Sequence, residues 1–514
     1  MIEDATTPRP VYLTRDIRKI EARFLPAHRL MEAAGLAAAE LARELLGEGG
    51  TSALVLAGPG NNGGDALVLA RHLKQWWFKV DVVFTGDAKK LPRDAAHALR
   101  LWQKAGGILH NKIPAGKWDL AVDGLFGIGL KRRLEGRYAQ LVERINQFGV
   151  PVLALDVPSG LDADTGRTLG AAVRATHTVT FIALKPGLLT ADGVNCCGEI
   201  HVRSLDIDAA ASLPPKGWLL SQATCPQLKP RLPSSHKGMF GNAGILGGAT
   251  GMVGAALLAG RAALKLGAGR TYVALLAKNA PLVDPMQPEL MLRTPEKLLE
   301  LDHLDCLAVG PGLGQSNEAQ HFLAAALKIK LPLVLDADAL NLIGSEARLQ
   351  QLLKKRSAAT ILTPHPAEAG RLLKIGTEEI QRDRLAAALE IARRFRCHVV
   401  LKGAGSICTL PDGSWYINSS GNPGMASAGM GDVLTGMIAA LIAQGLSTGD
   451  AMLLAVYLHG AAADNLVARG VGAAGLTASE VTDVARNLLN QSISLAKQTA
   501  PNPQRAAEAK VPPK

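Results

Sequence analysis

Ala53-Leu54-Val55-Leu56-Ala57-Gly58-Pro59-Gly60-Asn61-Asn62-Gly63-Gly64-Asp65 is a short apolar run that breaks into glycine, proline and asparagine before a helical pattern takes over. The length and apolarity of the run read as a buried strand, and the glycines as the bend that returns the chain along the sheet. In open α/β sheets, ligands collect at such bends beside the carboxyl ends of strands. The segment matches neither the Walker A loop nor the dinucleotide GxGxxG fingerprint, so its ligand is not read from a standard phosphate motif.

The same pattern recurs outward from it. Leu120–Val122 ends at Asp123-Gly124-Leu125-Phe126-Gly127-Ile128-Gly129-Leu130, and Val152–Leu155 ends at Asp156-Val157-Pro158-Ser159-Gly160-Leu161-Asp162. Further strand-like runs lie at Val80–Phe84 and Thr178–Ala183, with helical patterns at Ala22–Leu46, Asp65–Trp77 and Arg137–Phe148. Strands separated by helical crossovers predict a parallel, doubly wound sheet covered on both faces. Asn62, Asp123 and Ser159 place hard oxygen donors at three strand ends, a set suited to a simple cation, with helix capping as the competing role for Asp123 and Ser159.

Between Asp206 and Lys237 the pattern dissolves into proline, serine and basic residues, which puts a domain boundary there. Beyond it, apolar runs at Ala243–Leu246, Thr271–Leu275, Cys306–Val309, Leu333–Leu335, Ala359–Leu362 and His398–Leu401 alternate with helical patterns, including Ser427–Gln444 and Gly449–Asn465. A second α/β domain is expected. A chain of 514 residues is too long for one core, so residues 1–220 and 221–494 are taken as domains and 495–514, rich in Pro, Ala and Lys, as a disordered tail.

The most specific segment of the second half is Asn422-Pro423-Gly424-Met425-Ala426-Ser427-Ala428-Gly429-Met430-Gly431-Asp432, which opens onto an apolar helix. Small residues ahead of a helix let unpaired amides converge on a phosphate. A carboxylate in that position binds phosphate poorly but is placed to take a proton from a hydroxyl attacking it. Lys402-Gly403-Ala404-Gly405-Ser406 leaves another strand with a cation beside glycine, and Gly310-Pro311-Gly312-Leu313-Gly314 and Thr363-Pro364-His365-Pro366-Ala367-Glu368 follow two more. The prolines flanking His365 hold its backbone extended and present the side chain.

Composition restricts the partners. The net charge of +11 is dispersed, without a basic stripe interleaved with aromatics, so phosphate-bearing metabolites are expected rather than nucleic acid. Six cysteines include no CxxC pair, which predicts neither zinc nor disulfides and fits the cytoplasm. Val253–Leu266 is interrupted by Arg261 and Lys265, and no membrane span is expected.

Through His236-Lys237-Gly238, Gly251–Ala255, Gly310–Gly314, Thr363–Glu368, Lys402–Ser406 and Asn422–Asp432, the second half resembles the ribokinase-like NAD(P)H-hydrate dehydratases. Through Asn61–Asp65, Asp123–Arg133 and Asp156–Asp162, the first half resembles the NAD(P)H-hydrate epimerases, with a Rossmann-like fold. The fused order is similar to that of the bifunctional nicotinamide-hydrate repair enzymes. This resemblance implies that the first domain epimerises hydrated NADH or NADPH at C6 and that the second dehydrates the S epimer with ADP. It further implies substrate contacts at Asn61, Asn62, Gly63, Gly64, Asp65, Gly127, Ile128, Gly129, Leu130, Lys131, Arg132, Arg133 and Asp156 in the first domain. In the second it implies substrate contacts at Ala255, Gly312, His365 and Asp432, and nucleotide contacts at Lys402, Gly403, Ala404, Gly405, Ser406 and Gly431. By the same resemblance, K+ would be held by Asn62, Asp123 and Ser159, Mg2+ would accompany ADP, and the chain would form a homo-oligomer.

Asp432 and Asp156 are the expected catalytic residues. The nearest alternative is a small-molecule kinase of ribokinase type whose first half only binds a ligand. Such an enzyme would release a stable phosphorylated product instead of orthophosphate and NAD(P)H.

Overall fold

The computed structural model describes residues 7–24 and 27–499, so the expected tail lies outside the described residues from position 500 onward. Contacts divide the chain into two units, Pro8–Leu219 and the chain from Leu220 on.

In the first unit, β1 (Ser52–Ala57), β2 (Lys79–Phe84), β3 (Leu109–His110), β4 (Leu120–Gly124), β5 (Val152–Leu155), β6 (His177–Phe181) and β7 (Glu199–Arg203) form one sheet in the order β3-β2-β1-β4-β5-β6-β7. Every neighbouring pair is parallel. The central strands β1, β4 and β5 are buried along their whole length, as a sheet covered on both faces requires. Helices Asn61–Gln75 and Arg93–Lys104 supply Leu67, Leu73, Leu99 and Trp102 to the core on one face. Helix Gly136–Ile145 supplies Leu141, Val142 and Ile145 to the other. The order reverses direction at β1 and β4, and a crevice therefore opens between their carboxyl ends.

One helix start and two edge strands in this unit differ from the sequence reading. The helix after β1 starts at Asn61 rather than Asp65, so Asn61–Gly64 form its first turn instead of a loop. Gly63 explains how: a Cβ there would lie 2.0 Å from the Gly58 carbonyl oxygen, so glycine lets the new helix begin against the bend itself. The edge strands β3 and β7 were not anticipated, because one is two residues long and the other, Glu-Ile-His-Val-Arg, carries polar side chains at alternate positions.

The second unit repeats the principle. Strands β8 (Asn242–Gly247), β9 (Arg270–Leu275), β10 (Met291–Arg293), β11 (Cys306–Val309), β12 (Leu333–Leu335), β13 (Thr360–Leu362), β14 (His398–Leu401), β15 (Ser406–Thr409) and β16 (Trp415–Asn418) lie in the order β16-β15-β14-β13-β12-β11-β8-β9-β10. The sheet is parallel from β14 to β10, and β15 and β16 extend it antiparallel. Lys402–Ser406 is thus the turn of a β-hairpin, where the sequence suggested only a strand leaving into glycines.

Helix Met430–Ala443 is apolar on nearly every face and packs in the core beside Val253–Lys265 and Thr448–Ala468. Among the described residues, Thr448–Ala468 is the one helix long and apolar enough to cross a membrane, and 67% of its most apolar stretch is buried within the fold. That burial accounts for the apolarity.

Candidate functional site

The loops after β1, β4, β5 and β6 meet around a 710 Å³ cavity in the first unit. Asn61, Asn62, Asp65, Gly127, Ile128, Gly129, Leu130 and Asp156 line it, together with Glu21 and Lys185, which the sequence reading did not single out. Gly63 and Gly64 lie just behind the wall, where Gly64 backs onto Met31. Lys131, Arg132 and Arg133 are exposed and stand outside the lining, with Lys131 within 4.0 Å of Asp162.

Asp156 is the first residue beyond β5 and takes φ +63°, an uncommon conformation for a non-glycine residue. Buried Lys185 fixes its carboxylate: Nζ donates to Asp156 Oδ1 at 2.6 Å, to Thr180 Oγ1 at 2.8 Å and to the Phe181 carbonyl at 2.9 Å. The Ile128 amide donates to the other oxygen, Oδ2, at 3.3 Å. All three ammonium protons are used, so the lysine holds Asp156 in one place. Lys185 follows β6 as Asp156 follows β5. The signal was therefore a charged residue just past an apolar run, weakened by three intervening apolar residues.

Two further carboxylates share this field. Burial, together with the charges of Asp156 and Glu21, pushes Asp65 well above the usual carboxylate range. Burial and Asp156 also raise Glu21, while Lys185 and Arg18 pull it back. Asp65, its carboxyl pushed upward, thus shares the cavity with the carboxyl group that Lys185 pins.

Beneath the cavity floor, Ser159 donates from its amide to Asp123 Oδ2 at 2.7 Å and from its hydroxyl to Oδ1 at 2.7 Å. The Phe126 amide donates to Ser159 Oγ at 2.8 Å. Neither Asp123 nor Ser159 caps a helix, which removes the competing role. Burial raises Asp123 to about 6 against the lowering effect of its hydrogen bonds from Ser159 and Leu125. Asn62 is buried and both atoms of its side-chain amide lack a hydrogen-bond partner. An orphaned amide oxygen costs about 1–3 kcal/mol unless something unseen satisfies it. With an acidic buried carboxylate nearby, the donor chemistry fits a hard monovalent cation.

The second site lies at the carboxyl ends of β11, β12, β13 and β14. Asp336, directly after β12, is 1% exposed and accepts from Lys402 Nζ at 2.7 Å and from Thr435 Oγ1 at 2.9 Å. Burial alone would raise Asp336, but the Lys402 charge and these hydrogen bonds hold it below the usual range. Burial alone would lower Lys402, yet Asp336 and Glu368 keep it above its ordinary value. Glu368 stands 4.0 Å from the same ammonium. Asp336 was legible as a charged residue ending an apolar run, the same signal that marked Asp123 and Asp156.

Asp432 occupies the first turn of helix Met430–Ala443, whose N-cap is Gly429 at φ +88°. It is therefore not the capping residue. Burial raises its carboxyl to about 6, Asp336 and Asp338 add to the shift, and Lys402 opposes it. A Cβ on Gly431 would lie 3.1 Å from Lys402 Nζ, which places that glycine against the lysine. Gly403 leaves the hairpin at φ +136°, braced by Arg384, whose Nη2 donates to the Leu401 and Lys402 carbonyls at 3.3 and 3.2 Å. Ser406 closes the turn by donating to the Gly403 carbonyl at 3.0 Å. Gly312 and Ala255 are neighbours, since a Cβ on Gly312 would come within 3.2 Å of Ala255 Cβ.

His365 has a structural task of its own. Its Nδ1 accepts from the Ala367 and Glu368 amides at 3.1 and 3.4 Å, and the His365 amide donates in return to Glu368 Oε2 at 2.8 Å. This capping box starts helix Pro366–Leu373 and leaves the His365 ring half exposed. A 530 Å³ groove elsewhere in the unit, beside Cys225, Ser420 and Asp464, contains none of the expected site residues.

Gly310 shows how tightly the second site is built. At φ +132°, its Cβ would fall 1.8 Å from the Asp336 carbonyl oxygen. Gly310→Ala is expected to destabilise this unit by at least about 3 kcal/mol and to displace Asp336, as read by denaturant unfolding and by loss of turnover.

Comparison with known proteins agrees with two units of different origin. Residues 243–485 match the family described as NAD(P)H-hydrate dehydratase. Residues 27–187 match the family described as YjeF-related protein N-terminus. The chain is 39% identical over 508 residues to the bifunctional NAD(P)H-hydrate repair enzyme Nnr of Escherichia coli (strain K12), covering 95% of each. It is 39% identical over 445 residues to the protein of that name from Coxiella burnetii, covering 85% of this chain and 90% of that one. Among solved structures, it is similar to the ADP/ATP-dependent NAD(P)H-hydrate dehydratase of Bacillus subtilis co-crystallized with ATP/Mg2+, at 34% identity and a TM-score of 0.47, covering 52% of this chain and 95% of that one.

Proposed function

The chain belongs to the bifunctional NAD(P)H-hydrate repair enzymes, and on that premise we propose how its residues divide the work. The first unit interconverts the R and S epimers of hydrated NAD(P)H at C6. The second dehydrates the S epimer to NAD(P)H at the expense of an adenine nucleotide.

In the first unit, the observation that carries the reading is the Asp156–Lys185 pair at 2.6 Å in one cavity with Asp65, whose carboxyl is pushed upward by burial and by the neighbouring Asp156 and Glu21. C6 of the hydrate bears both the hydroxyl and the ring nitrogen. The nitrogen lone pair can expel hydroxide to give an iminium, and water can return on the other face. Asp65 is suited to protonate the departing hydroxide, and Asp156 to stabilise the cation and take the proton from the returning water. The amides of the first helical turn, Asn61–Gly63, are free to hold the diphosphate. Lys131, Arg132 and Arg133 would add charge for phosphate at the rim.

Asn62, Asp123 and Ser159 would hold K+. When bound, the cation would supply positive charge beside these donors and a partner for the orphaned Asn62 amide oxygen. The pH dependence tests this directly. A carboxyl raised to about 6 stabilises the fold at low pH, and that contribution is lost as pH rises through 6. The thermal midpoint of the first unit is therefore expected to fall as pH rises from about 4 to about 6, to level off above that in potassium-free buffer, and to recover with K+. Asp123→Asn should remove both the fall and the recovery.

In the second unit, Asp432 takes the proton of the C6 hydroxyl as its oxygen attacks the terminal phosphoryl group of ADP. The amides of Gly429–Gly431 and the Lys402 ammonium hold that group, and AMP leaves. The ring nitrogen then expels orthophosphate from C6, and loss of the C5 proton forms the C5–C6 double bond. Asp336, Asp338 and Asp432 outnumber Lys402, a balance that would suit Mg2+ arriving with the nucleotide, where it would supply positive charge against the transferring phosphoryl group. Ala255, Gly312 and His365 would form the hydrate side of the pocket, and Lys402–Ser406 the nucleotide side. Assay of the S hydrate with ADP and with ATP tests the preference for ADP. Loss of turnover with ADP but not with ATP would reverse the assignment.

A further inference from the structure

At the opposite end of the first sheet from the Asp156 cavity, two adjacent parallel strands bring three ligating side chains together. His177 opens β6 and is paired in register with Glu199, the first residue of β7, while His201 stands two residues further along β7. Residues two apart on a strand share a face, so Glu199 and His201 project to one side of the edge strand. His177 Nδ1 lies 3.2 Å from His201 Nε2, and the Glu199 carboxylate spans the two, Oε2 at 3.8 Å from His177 Nδ1 and Oε1 at 3.7 Å from His201 Nε2. All three ligand atoms fall within 4.8 Å of one another.

These separations can be compared with what a metal requires. With metal–ligand distances of about 2.0–2.2 Å, the edge of a tetrahedral ligand set is about 3.3–3.5 Å. The nitrogen–nitrogen edge of 3.2 Å is close to it, and each Glu199 oxygen approaches one of the nitrogens, at 3.8 and 3.7 Å. A hydrogen bond between two imidazoles would explain the shortest edge alone. It does not explain why a carboxylate stands across both nitrogens, one oxygen toward each. Glu44, from the helix Ala27–Leu46, adds a second negative charge near His201, and Arg203 opposes it. The imidazoles are mostly buried at 22% and 19% exposure, whereas Glu199 is 68% exposed, so one side of the triangle is open to solvent.

We propose that His177, Glu199 and His201 form a binding site for a divalent transition metal of the Zn2+ type, with two nitrogen ligands, one carboxylate and one position open to water. Neutral imidazole and carboxylate favour such an ion over Mg2+ or Ca2+. The site clips the polar edge strand β7 to β6 at their amino ends. The carboxyl end of β6 carries Phe181 into the cavity wall, so the metal stands apart from the epimerisation chemistry.

The test uses the tag-free full chain, stripped with chelator and titrated with Zn2+ and separately with Mg2+ by calorimetry, with bound metal counted after dialysis. About one Zn2+ per chain is expected, with no matching Mg2+ signal and an upward shift of the first unit's thermal midpoint. His201→Asn should abolish that binding. Glu199→Gln, at an exposed side chain that leaves both imidazoles in place, should weaken it at least tenfold while epimerisation is unchanged. Absence of stoichiometric Zn2+ in the unsubstituted chain, or equal binding by both variants, would overturn the proposal and leave an imidazole–imidazole hydrogen bond in its place.

Discussion

Asp432→Asn is expected to slow dehydration of the S hydrate by about 10²–10⁴-fold, the usual worth of a positioned general base, and to leave epimerisation unchanged. The substitution keeps the size and polarity of the side chain in the first turn of the helix, so the glycine amides at its N-terminus stay where they are. What disappears is the group that accepts the hydroxyl proton. Burial and the neighbouring Asp336 raise that carboxyl to about 6, so it is ionised at neutral pH and becomes protonated as pH falls below 6. Since the base works only when ionised, kcat/KM for dehydration should fall about tenfold per pH unit below that point. The limb should be absent from the residual activity of the variant. Near-normal turnover by Asp432→Asn would remove the residue from this role.

Lys185→Met should produce the second large effect, in the other unit. Lys185 is 1% exposed and uses all three protons on Asp156, Thr180 and the Phe181 carbonyl. Methionine fills much of the same space but leaves the Asp156 carboxylate partly buried without its cation. Breaking one side of a buried pair costs about 3–5 kcal/mol, much of which the chain can avoid by protonating Asp156. Either outcome removes the carboxylate from the epimerisation step. Consumption of the R hydrate is expected to fall by at least about 100-fold, and the first unit to unfold at lower denaturant. Dehydration of pure S hydrate should persist, because Lys185 and Asp432 belong to different units. A Lys185→Met chain that epimerises at the normal rate would show that the pair is structural only.

The fold was legible wherever an apolar run was long enough to be buried on both faces. β1, β4 and β5 stood out for that reason, and so did β8, β11, β12 and β14. Strands without a continuous apolar run or beyond a tight turn escaped notice: β7, at a sheet edge, alternates charged and apolar side chains, and β15 and β16 form a hairpin whose glycine turn had looked like a loop. The site was legible where a polar residue directly follows an apolar run, as Asp123, Asp156 and Lys402 do. Asp336 carries the same signal. Lys185 and Thr435 do not, since one is set back from its strand and the other lies inside an apolar helix. Their partners become visible only when the sheet brings separate strand ends together. His365 illustrates the converse: its prolines do present the ring, and the same geometry makes it the cap of the following helix.

The account turns on what happens to the C6 hydroxyl: it should be phosphorylated and leave as phosphate. S hydrate carrying oxygen-18 in that hydroxyl, turned over with ADP by the Asp156→Asn chain so that epimerisation does not exchange the label, decides the point. The label is predicted to appear in orthophosphate, one labelled phosphate for each NADH formed. Label released into water, or retained in a stable phosphorylated product without NADH, would contradict it.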